Sequence, residues 1–125
     1  MGKNKQKKRL PIASKPDVVK REPILTGKEA YIARLRAGET VSFREKGNSM
    51  TPKIKSNQKC TYSPVLKPED VKVGDIVFCK VGPWRFTHII TAIDGYRYQI
   101  SNNHGHVNGW TSIEHIYGKV IEIGD

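Results

Sequence analysis

Cysteine, acidic side chains and long apolar runs are all scarce in this 125-residue chain. The only cysteines, Cys60 and Cys79, form no Cys-x-x-Cys pair and have no histidine at finger-like spacing. A zinc site and a disulfide framework are therefore both disfavoured, and two free thiols in a reducing cytoplasm are the expectation. No apolar stretch approaches the roughly 20 residues that span a bilayer, and the N-terminus is too basic and too proline-rich for the core of a signal peptide. A soluble protein without a membrane span is expected. The length allows one compact domain and excludes a large multidomain enzyme.

Positive charge is what the chain has in excess, with 22 Lys and Arg against 12 Asp and Glu, a net +10. Residues 1–28 hold nine of the basic residues and two acids, for +7, which leaves only +3 on residues 29–125. The N-terminal stretch also carries Pro11, Pro16 and Pro23 and few apolar side chains. Residues 1–25 are thus predicted to be a flexible basic arm, suited to nucleic acid or an acidic protein. Thr26-Gly27-Lys28-Glu29 has the form of a capping box, Tyr31, Ile32 and Leu35 follow at helical spacing, and Gly38 supplies a stop. These features predict a short amphipathic helix over residues 26–38.

From residue 39 to 125 the pattern changes to short alternating runs broken by Gly, Pro and Asn, which predicts a mainly β domain. Strands are expected at 39–45, 59–63, 75–81, 85–93, 96–101 and 118–123. Asp94-Gly95 reads as a two-residue hairpin turn. That register pairs Ile93 with Tyr96, Thr91 with Tyr98 and Ile89 with Ile100, and sets His88 opposite Ser101. It gives one core face of Ile89, Thr91, Ile93, Tyr96, Tyr98 and Ile100, and leaves His88, Ile90 and Ser101 on the polar face. His104-Gly105-His106 has no carboxylate or thiolate at ligand spacing and reads as a solvated loop rather than a metal site. Trp84, Phe86, Tyr96, Tyr98 and Trp110 read as core or turn packing, with Trp84 at a hairpin tip the best candidate for a partner contact. No motif calls for a metal or cofactor.

The segment Gly47-Asn48-Ser49-Met50-Thr51-Pro52 presents a serine between a glycine and a proline, a plausible mount for an exposed hydroxyl. It is followed in order by Val73-Gly74-Asp75-Ile76-Val77-Phe78, Thr87-His88-Ile89-Ile90, Ser101-Asn102-Asn103 and Ile116-Tyr117-Gly118-Lys119-Val120-Ile121. Over Val41 to Ile123 this order resembles the LexA and signal-peptidase superfamily of serine peptidases, in the variety that uses histidine as base. The resemblance implies Ser49 as nucleophile, His88 as general base and a compact LexA-like β domain. Lys80 and Arg85 lie outside the base position and read as solvated charge.

Three positions differ from the family pattern. Ile89 stands where an Arg follows the base, Asn57-Gln58 stands where Gly-Asp opens a strand, and Ser101 stands where an Asp precedes the Asn-Asn pair. Ser101, Asn102 and Asn103 are therefore the candidate orienting residues, and a Ser-His dyad acting on a peptide or protein substrate is the expectation. Self-cleavage at Ala37-Gly38 is disfavoured, because that bond lies close to Ser49 in sequence and Gly38 already serves as helix stop. The competing expectation is a catalytically inactive peptidase-fold binding module whose basic arm contacts nucleic acid or an acidic protein.

Overall fold

The computed structural model of the chain describes residues 25–125. The basic arm expected over residues 1–25 lies, but for its last residue, outside the described residues. The described chain is mainly β. Helix α1 (Gly27–Arg36) is followed by β1 (Val41–Arg44), β2 (Lys59–Pro64), β3 (Ile76–Val81), β4 (Trp84–Asp94), β5 (Arg97–Ser101), β6 (Val107–Thr111) and β7 (Ile116–Ile123). These strands form one antiparallel sheet in the order β1-β2-β7-β3-β4-β5-β6. Strand β6 was not expected from the sequence.

Helix α1 ends as its sequence predicts. Gly38, at φ +90°, takes the left-handed position that glycine adopts without penalty, and the Gly38 and Glu39 N–H groups donate to the Leu35 and Arg34 carbonyls in a Schellman arrangement. The start differs: Thr26 is extended but makes no side-chain capping bond, so the expected capping box does not form. Ten residues are too few for a stable isolated helix, and α1 depends on its docked face. Leu35 is fully buried, and Tyr31 stacks on Phe43 with ring centroids 4.2 Å apart.

Strand β3 is the middle of the molecule, and its continuous apolar run is used on both faces. Phe78 packs with Leu35, Phe43, Tyr62 and Tyr117 beneath α1. Val77, Cys79 and Val81 face a second cluster that includes Ile90, Tyr98, Ile100 and Ile116. The sheet coils far enough for β6 to return to β3: Thr111 Oγ1 donates to the Lys80 carbonyl at 2.7 Å.

The β4–β5 hairpin corrects the expected register. Near the tip Asp94 pairs with Arg97 and Ile93 with Tyr98, so Gly95 and Tyr96 form the turn. Farther down, Ile90 pairs with Ile100 and Ile89 with Ser101, which makes Thr91 an extra, bulged residue. A one-residue bulge moves every side chain beyond it to the other face. His88 and Ile90 are consequently buried with Tyr98 and Ile100, whereas Thr91, Ile93 and Tyr96 of the expected core face are exposed.

Candidate active site

Ser49 sits on the long connection between β1 and β2, and local hydrogen bonds hold that segment in place. Gly47 has φ +122°, a conformation closed to other residues, and its N–H donates to Ser56 Oγ at 2.9 Å. The Thr51 N–H and hydroxyl both donate to the Asn48 carbonyl, at 3.2 and 2.8 Å. Met50, buried next to Ser49, anchors the turn, while Ser49 itself stays exposed. Asn57, at φ +66°, occupies the left-handed region that asparagine tolerates better than most residues.

The loop between β5 and β6 clamps this segment from the other side. The Asn103 N–H donates to the Ser49 carbonyl at 2.9 Å, and Asn103 Nδ2 donates to the Thr51 carbonyl at 2.9 Å. His104 Nε2 donates to the Asn48 carbonyl at 2.9 Å, so its ring is engaged rather than simply solvated. Asn102 Oδ1 accepts from the N–H groups of His104 and His106 and shapes the loop itself. Asn103 thus positions the Ser49 segment and Asn102 shapes the loop that carries Asn103, and the hydrogen bonds of the His88 ring go to Ser49 and Asn108 instead.

His88 comes from β4, and the two halves expected of the site meet: Ser49 Oγ lies 3.0 Å from His88 Nε2. The other ring nitrogen, Nδ1, lies 2.7 Å from Asn108 Oδ1 on β6. An amide oxygen accepts only, so Nδ1 carries the proton and Nε2 presents its lone pair to the Ser49 hydroxyl. Phe86 stacks on the imidazole at 3.9 Å and 15° and fixes the plane of the ring. Burial pushes the His88 pKa down from its ordinary 6.5; the bond to Asn108 and the charge of Glu45 oppose this without reversing it. The ring is neutral at pH 7 and able to accept a proton.

Ser101 is not the orienting residue. It is buried opposite Ile89, and its hydroxyl bonds Thr91 Oγ1 at 2.8 Å. Asn108 holds the position expected of Ser101, and a second bulge delivers it. Ile100 pairs with Gly109 and Ser101 with Val107, so Asn108 is the unpaired residue of β6. A glycine inside a run of strand-forming residues was the available signal, since an interior Gly often marks a bulge.

Ser49 and His88 line a cleft of about 240 Å³ together with Met50, Ile54, Tyr62, Phe86, Thr87 and several charged residues. Lys28 of α1 crosses one end, where Nζ donates to Glu45 Oε2 at 2.7 Å and to the Arg85 carbonyl at 2.8 Å. The Tyr62 and Thr87 hydroxyls share a hydrogen bond of 2.8 Å. Among the described residues there is no cluster of three His, Cys, Asp or Glu side chains able to hold a metal, and no helix is long and apolar enough to cross a membrane. No family model, curated protein or solved structure matches the chain.

Proposed function

We propose that the chain is a small serine peptidase-like protein of the LexA and signal-peptidase type, which hydrolyses peptide bonds with a Ser49-His88 dyad. The observation that carries this reading is the contact of 3.0 Å between Ser49 Oγ and a histidine nitrogen whose partner nitrogen is anchored by Asn108. The order of motifs along the sequence adds to it. Two buried free thiols fit work in a reducing compartment such as the cytoplasm.

In this mechanism His88 Nε2 takes the Ser49 proton as the oxygen attacks the scissile carbonyl, and the imidazolium then protonates the leaving amine. The Ser49 N–H, which has no acceptor among the described residues, is available to the oxyanion. Water, deprotonated by the same His88, clears the acyl group and restores the serine. Asn108 fixes the ring and its tautomer, as asparagine does in Cys-His-Asn peptidases. It adds no negative charge to stabilise the imidazolium, so turnover is expected to be slow. Mass-spectrometric analysis of a mixed peptide library incubated with wild type and Ser49→Ala tests the proposal. New termini should appear with wild type only; identical digests from the two proteins would refute it.

The inactive binding module remains the competing proposal, and the observation in its favour is that an amide, rather than a carboxylate, partners His88. Its nucleic-acid or acidic-protein contacts would belong to residues 1–25. Such binding should weaken with added salt and with deletion of residues 1–24.

A further inference from the structure

The cleft beside Ser49 is lined by more cations than acids. Its lining holds Lys28, Lys46, Lys55 and Arg85 against one acid, Glu45. Lys28 already engages Glu45 at 2.7 Å, which cancels that pair. Lys46 and Lys55 come from the β1–β2 connection, and Arg85 comes from β4. Among the described residues none of these three side chains has a carboxylate partner. Met50, Ile54 and Phe86 add apolar surface to the lining, beside the polar groups of Ser49, Gln58, Thr87 and His88. A cleft whose walls share one sign focuses the field on whatever enters it.

We infer that this cleft selects peptide segments bearing acidic side chains on either side of an uncharged centre. The inference rests on the peptidase reading above and names its substrate class. The uncharged centre lies next to Ser49, beside Met50, Ile54 and Phe86, and the flanking carboxylates reach Lys46, Lys55 and Arg85. The Ser49–His88 contact in the same lining favours a peptide over a polyanion of other chemistry, because a nucleic-acid backbone offers phosphates to the cations but no amide carbonyl to Ser49. Each exposed ion pair is weak, so selectivity comes from three together, and the acidic segment should bind about tenfold tighter than a neutral one.

The test uses the full chain with Ser49→Ala, so that peptides bind without being cut. Short fluorescein-labelled peptides share an Ala-rich centre and carry Glu, Asn or Lys on both flanks, and their affinities are read by anisotropy across a salt series. The Glu peptide should bind about tenfold tighter than the Asn peptide, with the gap closing at high salt. The double reversal Lys46→Glu with Lys55→Glu, shown to be folded by its circular dichroism and melting temperature, should remove or invert the ranking. Equal affinities, no binding by any peptide, or a ranking unmoved by the reversal would overturn the inference. So would displacement of the Glu peptide by a single-stranded oligonucleotide at a lower concentration than by an unlabelled copy of itself. Fluorophosphonate labelling of wild-type Ser49 is read separately. Labelling without charge ranking defeats this inference alone, whereas ranking without labelling supports it as a binding property and defeats the catalytic reading.

Discussion

His88 is buried, and burial disfavours its charged form. Because its folded-state pKa lies below the ordinary 6.5, the unfolded chain takes up this proton first as pH falls. The contribution of His88 to stability is therefore complete above 6.5 and is lost as pH drops through the depressed value. The same shift governs chemistry: the rate of Ser49 modification by a fluorophosphonate should rise along an acid limb whose midpoint lies below 6.5. A pH series of inactivation rates checks this. Asn108→Asp places a carboxylate against Nδ1, so the limb should move up by about 1–3 pH units and modification above it should be faster. Asn108→Ala releases the ring and should slow modification at least about tenfold. Ser49 and His88 were legible in the sequence because each lies in a contiguous motif. Asn108 was not, since its role depends on where β6 lies rather than on its neighbours in the chain.

Two bulged residues, Thr91 in β4 and Asn108 in β6, separate the expected sheet from the observed one. Alternation along a strand assigns faces only while the register is unbroken, and each bulge inverts the assignment beyond it. This explains why six strands were expected near their observed places although His88 was assigned to the polar face. The helix was readable from Tyr31, Ile32, Leu35 and Gly38, because its spacing and stop are local. Its docking has sharper consequences. Leu35→Ala leaves a void between α1, Phe78 and Tyr117 and should cost about 2–5 kcal/mol in chemical denaturation. Gly118 on β7 admits α1 closely: an added Cβ would lie 3.0 Å from Leu35 Cδ2 and 3.1 Å from the Ser63 carbonyl oxygen. Ser63 belongs to the paired strand β2 and cannot easily retreat, so Gly118→Ala should cost about 1–3 kcal/mol by the same measurement.

The whole chain carries +10, yet the cleft rather than the total locates charge near the chemistry. The sequence showed how unevenly charge divides along the chain. It did not show that Lys46 and Lys55 would line one cleft with Arg85, because they lie 39 and 30 residues from it along the chain. The two thiols illustrate the same dependence on the fold. Cys60 and Cys79 are free and buried, and burial raises both thiol pKa values. Ellman's reagent should therefore titrate neither in the native protein and both after unfolding; rapid native reaction of either would contradict the packing.

The central claim is that His88 activates Ser49 for attack. Its most direct measurement is intact-mass and peptide mapping after brief fluorophosphonate treatment of wild type, Ser49→Ala and His88→Ala. A single adduct on Ser49 of wild type, absent from Ser49→Ala and formed at least about a hundredfold more slowly in His88→Ala, is the expected result. No adduct on wild type, or labelling of Ser49 at the same rate without His88, would contradict it.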